Sequence, residues 1–276
     1  MSNFKQLKRS NYILYEPDND YENNHVQLAP GIYKPISRSS ITSIHRYFEK
    51  MELPNELIQF KTGIVDEFMK EVEKFFSKEV TDLYKEMNIM HKNGFLFYGK
   101  PGTGKTSLGL LVMKMMVDKY NALALDCTGQ KMSEILKYIE ICRRHQNCPI
   151  VIFVDEFEYL VGADEGALLP FLDGTDSEPS VIFIGCTNYI EKIPDRIKNR
   201  KSRIKECFEI SKLPTAVYKQ YIHDKLTGIA DSIKAKFVYQ AEDQALTIDE
   251  LKNALIDFRI HKFSMEDAIQ AASVKY

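Results

Sequence analysis

Short apolar runs alternate with helical patterns through the middle of the chain. Runs at 95–98, 122–127, 150–156 and 181–188 have the length of buried strands, and all but the second are rich in β-branched or aromatic residues. Apolar residues recur at helical spacing over 107–119 and 132–145, and a fifth strand is expected at 206–210. This alternation predicts an α/β fold: a five-stranded parallel sheet flanked by helices and joined by right-handed crossovers.

The chain is expected to divide into three parts. Residues 1–60 form an N-terminal extension with a polar, turn-rich stretch at 15–24; helices are predicted at about 41–50 and from Pro54. This partly helical extension could be a partner-binding arm or a loosely packed surface segment. Residues 61–212 form the α/β nucleotide-binding core. Residues 213–276 form a helical subdomain, with helices near 216–226 and 248–258 and a last helix that follows Ser264.

The segment between the first core strand and the first core helix carries the clearest chemistry. It reads GKPGTGKT, the phosphate-loop pattern G-x-x-x-x-G-K-[ST], and its position between a strand and a helix is the one the pattern requires. Its backbone N–H groups and the helix N-terminus attract phosphate, Lys105 is expected to reach the β- and γ-phosphates, and the Thr106 hydroxyl is expected to ligate Mg²⁺. The candidate nucleotide-binding residues here are Gly99, Lys100, Pro101, Gly102, Thr103, Gly104, Lys105, Thr106 and Ser107.

Polar side chains end the next two strands of the predicted sheet. Because parallel strands place their carboxyl ends at one edge, these side chains are expected near the phosphate loop. Asp155 is placed to hold Mg²⁺, directly or through water, and Glu156 to orient and polarise the attacking water. Asn188 could hydrogen-bond the γ-phosphate or that water, or it could only cap a turn.

Composition narrows the class of protein. The 276 residues carry a net charge of −2, which argues against a chain that mainly coats nucleic acid. No apolar run has the length of a membrane span and the N-terminus has no secretory signal, so a cytoplasmic protein is expected. The five cysteines have no metal-ligand spacing and are expected to be reduced thiols.

Five segments, in order, resemble the AAA ATPase module. They are GKPGTGKT, IVIFVDEFEYL, ALLPFLDG, VIFIGCTN and IPDRIKNRKSR, and the resemblance covers about 62–212, more weakly the remainder. It implies an α/β core followed by a small helical lid, with ATP and Mg²⁺ as cofactors. It also implies a homo-oligomer, with a hexameric ring favoured, in which ATP lies at subunit interfaces.

The resemblance also implies roles for individual residues. Asp155 and Glu156 become the Walker B pair, and Asn188 becomes the sensor-1 residue. Arg200 and Arg203 fall where arginine fingers reach the neighbour's ATP. The backbone near Val65 would hold the adenine. From the residues alone, the basic run at 196–205 could instead be a nucleic-acid patch or a solvated basic helix.

The sequence therefore predicts an oligomeric ATP-hydrolysing AAA machine that remodels an unidentified protein substrate or a protein–nucleic-acid assembly. One alternative is a DNA-metabolism ATPase of the clamp-loader or helicase-loader type, so a nucleic-acid partner is allowed but not favoured. Another is a slow, nucleotide-gated assembly scaffold.

Two positions depart from the family pattern. The stretch 128–132 lacks the aromatic residue of protein-threading members, with Lys131 and Met132 as weak substitutes. Met265-Glu266 stands at the helix start where some family members carry a sensor-2 arginine.

Overall fold

The computed structural model describes residues 4–9, 12–17, 28–39, 44–53, 63–175, 179–210 and 213–273. Their strands are β1 (Phe4–Arg9), β2 (Tyr12–Pro17), β3 (Gly31–Ser39), β4 (Ile44–Lys50), β5 (Lys92–Tyr98), β6 (Leu123–Asp126), β7 (Ile150–Val154), β8 (Val181–Thr187) and β9 (Glu206–Glu209). Their α-helices are α1 (Gly63–Phe75), α2 (Lys78–Glu86), α3 (Lys105–Tyr120), α4 (Met132–His145), α5 (Phe157–Asp173), α6 (Asp195–Lys198), α7 (Thr215–Lys225), α8 (Asp231–Asp243), α9 (Ile248–Arg259) and α10 (Met265–Ser273). Within these ranges, every helix is too short or too polar to cross a membrane.

The predicted parallel sheet is confirmed as one contiguous part of a larger sheet. The strands lie in the order β1-β2-β4-β3-β6-β7-β8-β5-β9, and the five from β6 to β9 are all parallel. Apolar residues of α4 and α5 cover one face, and those of α1 and α3 cover the other. β5 lies between β8 and the edge strand β9, so the segment that follows β5 leaves the sheet one strand in from that edge.

The N-terminal strands extend this sheet, and here the sequence prediction was wrong. The helix expected at 41–50 is not formed by residues 44–50, which are β4, and the sheet has nine strands rather than five. The physical reason is the period of the pattern. Phe48 is buried and Arg46, two residues earlier, pairs with Glu134 of α4, so alternate residues face the same helix. The predicted helix start at Pro54 lies outside the described residues.

Strand β3 joins the extension to the core. It pairs in parallel with β6 from Gly31 to Tyr33 and antiparallel with β4. The Phe48 ring packs edge-on against Tyr138 of α4, with centroids 5.3 Å apart, and against Tyr33 at 6.4 Å. All three rings are fully buried. The Tyr138 hydroxyl lies 2.9 Å from Ser37 Oγ, and burial raises the pKa of Tyr138 to about 12.

The C-terminal helices α7 to α10 have a core of their own, and we call them the lid. Buried residues of all four helices form it, among them Val217, Phe237, Leu251 and Ile269. The helices predicted near 216–226 and 248–258, and the helix after Ser264, are confirmed, whereas α8 was not predicted. α9 begins with a capping box: Thr247 Oγ1 accepts from the Glu250 N–H, and the Glu250 carboxylate accepts from the Thr247 N–H.

The aromatic contact between β4 and α4 makes the N-terminal strands part of the core's stability. We expect Phe48→Ala to lower the free energy of unfolding of the whole core by about 3–5 kcal/mol, because it empties a fully buried ring site. Lys50→Ala, on an exposed residue of the same strand, is the control and should change it by less than about 0.5 kcal/mol. Urea unfolding followed by circular dichroism measures both. Equal midpoints for the two variants would mean that the extension packs independently of the core.

Candidate nucleotide site

The phosphate loop wraps around the ammonium group of its own lysine. Lys105, the first residue of α3, is 5% exposed. Its Nζ donates to the carbonyls of Gly99 (2.9 Å) and Lys100 (2.6 Å) and to Thr103 Oγ1 (3.3 Å). Burial lowers the pKa of Lys105, and the nearby acidic groups Asp155 and Glu158 act in the opposite direction. A cation is therefore fixed at the centre of the loop, next to the N-terminus of α3.

Thr106 and Asp155 meet beside this loop. The Thr106 hydroxyl donates to Asp155 Oδ2, while Oδ1 accepts from the Glu156 N–H at 2.9 Å. The Asp155 N–H donates to Thr128 Oγ1 at 3.0 Å, which fixes the strand end from the other side. Adjacent hydroxyl and carboxylate oxygens suit Mg²⁺, which takes one or two protein ligands and completes its shell with phosphate oxygens and waters. In the described ranges, no group of three or more His, Cys, Asp or Glu residues could hold a metal by protein ligands alone.

Glu156 occupies the sharp turn between β7 and α5. Its φ is 53°, in the left-handed region that a non-glycine residue adopts at a cost of roughly 1–3 kcal/mol. The residue is exposed, whereas its neighbours Val154 and Phe157 are buried. The turn thus separates the two acids: the Asp155 carboxylate faces Thr106, and the Glu156 side chain lies in solvent at the same sheet edge.

Two polar residues that the sequence analysis did not select hold the turn at Asn188. The hydroxyl of Thr187 donates to Glu158 at 2.6 Å and accepts from the Tyr189 N–H at 3.0 Å. Thr187 is almost fully buried. A polar residue two positions after the Walker B pair is a weak signal for Glu158, and nothing local pairs it with a threonine 29 residues later.

A cavity of about 910 Å³ lies between the phosphate loop, Asn188 and the lid. This volume falls in the range of small-ligand sites. The residues that line it are Tyr98, Gly99, Lys100, Pro101, Thr103, Asn188, Ile190, Glu209, Gln244, Ala245, Leu246, Thr247, Glu250 and Ser273. Val65 is not among them: its side chain is buried between α1 and the sheet, and the adenine contact near it stays a prediction.

The lid touches the phosphate loop through the start of α9. The Ile248 N–H donates to the Gly102 carbonyl at 3.0 Å. Gly102 has a φ of 75°, and a Cβ on it would lie 2.9 Å from Thr247 Oγ1, so only glycine fits this approach. The lid residues at the loop are therefore Thr247 and Glu250. Met265, which stands at the sensor-2 position of the family pattern, packs in the lid core.

The two candidate finger arginines lie at the opposite edge of the sheet. They precede β9, and the Lys205 N–H donates to the Gly94 carbonyl near the start of β5. The strand from Gly94 to the phosphate loop spans roughly 16 Å at about 3.3 Å per residue. Neither Arg200 nor Arg203 is thus brought to the chain's own phosphate loop.

The surroundings of the two arginines differ. Arg203 is buried: its Nε and Nη2 donate to the two carboxylate oxygens of Asp173 at 2.8 and 2.7 Å, and its Nη1 donates to the Arg196 carbonyl at 2.6 Å. The Arg200 side chain is 58% exposed, and its Nη1 lies 3.6 Å from Asp173. The structure therefore distinguishes a fixed arginine from an exposed one, a difference that the sequence did not show.

The stretch 128–132 presents no aromatic or aliphatic side chain to solvent. Met132 is fully buried, and Gln130 Nε2 donates to the Pro35 carbonyl of β3 at 2.7 Å. Only Lys131 and Gly129 are exposed there. An apolar grip on a threaded polypeptide at this position is thus not available from these residues.

A parallel α/β sheet, a phosphate loop between β5 and α3, and an acid pair after β7 define a nucleoside triphosphate-binding protein of the phosphate-loop class. Comparison with known proteins narrows this class. The model of the family "ATPase family associated with various cellular activities (AAA)" matches residues 95–212. Residues 95–212 of this chain therefore form a domain of the AAA family.

The chain is also similar to several known proteins. The chain is 30% identical to the ATPase family gene 2 protein of Schizosaccharomyces pombe, covering 55% of this chain and 20% of that protein. It is 25% identical to the ATP-dependent zinc metalloprotease FtsH 2 of a Thermoanaerobacter species, covering 64% and 36%. It is 29% identical to the proteasome-activating nucleotidase of Methanoculleus marisnigri, covering 66% and 51%. The chain thus spans between a fifth and about half of these relatives.

Among solved structures, the FIGL-1 AAA domain in complex with ADP is similar at a TM-score of 0.47 and 18% identity, covering 65% of this chain and 70% of that one.

The position of the Lys105 ammonium generates a binding prediction. Lys105→Ala removes the buried cation of the loop, and we expect ATP to bind on the order of 10- to 100-fold more weakly, since a hydrogen bond to a charged group is worth about 1.5–3 kcal/mol. Titration with a fluorescent ATP analogue measures the affinity. The matched control is Lys114→Ala, an exposed lysine farther along α3, which should bind within about threefold of the unmodified protein. Unchanged affinity in Lys105→Ala would contradict the assignment of the phosphate loop.

Proposed function

We propose that the protein is an ATPase that works as an oligomeric ring, with a hexamer favoured, and uses turnover to remodel a protein or a protein–nucleic-acid assembly in the cytoplasm. One observation carries the oligomeric part. The phosphate loop and the acid pair lie at one edge of the sheet, while the exposed Arg200 lies at the other, beyond reach of its own site. A second copy would bring the two together.

The described residues divide the chemistry among themselves. The loop N–H groups and Lys105 bind the triphosphate, and Thr106 and Asp155 would hold Mg²⁺ against it. Bound there, the ion neutralises charge on the phosphate oxygens. Glu156 accepts a hydrogen bond from the attacking water and orients it. Asn188, in the turn held by Thr187, lines the same cavity as the phosphate loop and supplies a side-chain amide there.

The exposure of Glu156 allows a clean test of this division. Glu156→Gln keeps the size of the side chain but removes the proton acceptor, so hydrolysis should fall by on the order of 10² or more while ATP affinity stays within a few-fold. Phosphate release and nucleotide titration measure the two properties. Glu191→Gln, an exposed glutamate of the turn after β8, is the control and should keep full activity. Normal turnover in Glu156→Gln would remove this residue from the mechanism.

Arg200 is the better candidate for the arginine finger. A finger must reach a phosphoryl group on another subunit, and the Arg203 guanidinium is buried and occupied by Asp173 and Arg196. Among the described residues, Arg200 has one ion pair, with Asp173, at a distance longer than a hydrogen bond. Where such fingers act, they contribute on the order of 10³–10⁵ in rate.

Mixing two inactive variants tests the transfer between subunits. An Arg200→Ala subunit has an intact pocket and no finger, and a Glu156→Gln subunit has a finger and a dead pocket. Each alone should bind ATP and hydrolyse little. In a random equal mixture, about one quarter of the pockets are live and face an intact finger, so about a quarter of the normal rate should return. Co-purification of differently tagged subunits checks assembly. Co-assembly without recovery would mean that Arg200 does not act on a neighbour.

The basic run does not favour a nucleic-acid patch. Arg196 pairs with Glu165, Lys198 with Asp195, Lys201 with Glu206, Arg203 with Asp173 and Lys205 with Glu71. Acids of the same chain therefore offset the charge that would attract phosphodiester backbone. For the remodelling function, the buried Met132 and the tethered Gln130 argue for a grip other than an apolar loop at 128–132.

A further inference from the structure

Lys92, at the start of β5, has no part in the nucleotide site and yet makes two specific contacts. Its partly buried Nζ donates to the carbonyl of Leu172 and, at 2.9 Å, to the carbonyl of Ser202. Burial lowers the pKa of Lys92 to about 8, against the opposing effect of nearby Asp173. Withdrawing an ammonium group from water is costly unless its hydrogen bonds are satisfied. The two carbonyls supply that compensation, and they come from different elements.

These carbonyls belong to the two segments that hold Asp173 and the two candidate finger arginines. Leu172 is the last residue before Asp173 at the end of α5, and Ser202 lies inside the turn 200–203. Gly174 ends α5 at a φ of 89°, and a Cβ there would lie 3.1 Å from Lys92 Cε, so the helix end closes over the lysine stem. Lys92 therefore ties the end of α5, the arginine turn and the start of β5 together.

The Asp173 carboxylate fixes the turn 200–203 through side-chain hydrogen bonds. Its two oxygens accept from Nε and Nη2 of Arg203, and these hydrogen bonds hold the pKa of the Asp173 carboxyl below its usual value. The carboxylate thus stays ionised at neutral pH. The same Oδ1 that accepts from Arg203 Nε lies 3.6 Å from Arg200 Nη1. One carboxylate therefore anchors the buried arginine and holds the exposed one in range.

We propose that Lys92 and Asp173 are positioning residues for Arg200. Lys92 fixes the backbone of the turn, Asp173 fixes Arg203 as its scaffold, and Arg200 is thereby presented at a defined place on the edge that faces the neighbour. Neither residue touches nucleotide. The geometry of a reacting group must be held closely, since a misplacement of about 1 Å can lower a rate on the order of 10²-fold. This inference rests on the proposed function of Arg200 in a neighbouring site.

Two variants with different chemistry test the proposal. Lys92→Met keeps most of the stem's volume but removes the donors; Asp173→Asn keeps the shape but removes the charge. For each, we expect ATP affinity and KM within about threefold of the unmodified protein and kcat lower by on the order of 10- to 100-fold. Mixed with Glu156→Gln, each should recover activity as Arg200→Ala does, because its own pocket is intact. Lys201→Met, in the same turn with a 76% exposed side chain, is the control and should keep normal kcat.

The mixing step separates positioning from damage to the fold. If both variants keep the kcat of Lys201→Met, the proposal is overturned. It is also overturned if both lose activity that mixing does not restore, while Arg200→Ala is restored, because the defect then lies in their own pockets. If Arg200→Ala itself is not restored, the neighbouring role fails and the inference falls with it. Should Lys92→Met not fold by circular dichroism, Asp173→Asn decides alone.

Discussion

The site depends on the parallel, in-register pairing of β5, β7 and β8. Tyr98 of β5 pairs with Thr187 of β8, and Val154 of β7 pairs with Gly185 two positions earlier on the same strand. Three strand ends therefore lie side by side, each about 4.8 Å from the next strand. The phosphate loop, the acid pair and Asn188 each follow one of these ends. Residues some 30 to 90 positions apart in the chain are brought together by backbone hydrogen bonds alone, before any side chain contributes.

The elements that the sequence predicted well are those whose signal is local. The phosphate loop is eight consecutive residues, and the strands before Asp155 and Asn188 are apolar runs that only a sheet interior accommodates. The helix predicted at 41–50 was wrong because the few apolar residues of this short segment fit a helical or a strand period equally well. Only the contact with Tyr138 shows which face of β4 is buried. Tertiary contact decided the element there, rather than propensity.

Pairings across the chain could not be read from the sequence. Asp173 stands in a stretch that reads as a helix end, and nothing near it indicates that Arg203 takes both its oxygens. Arg200 and Arg203 are both arginines with similar neighbours in the sequence. One is exposed and the other is buried because Arg203 pairs closely with the Asp173 carboxylate, which is distant in the sequence. The place of Thr247 is a similar case. Its capping box marks a helix start, but the approach to Gly102 depends on how the lid folds.

Strand β3 has a mechanical consequence because it pairs with β6 in parallel rather than ending at the sheet edge as a free arm. Along the described residues, three consecutive residue pairs, from Gly31 to Tyr33, join β3 to β6, and the Phe48 ring packs against Tyr138 beside them. A pull directed along β3 loads these hydrogen bonds in shear, so they resist together. A pull across the sheet would open them one after another. The β3–β6 junction therefore resists a force along the strands strongly and a force across the sheet weakly.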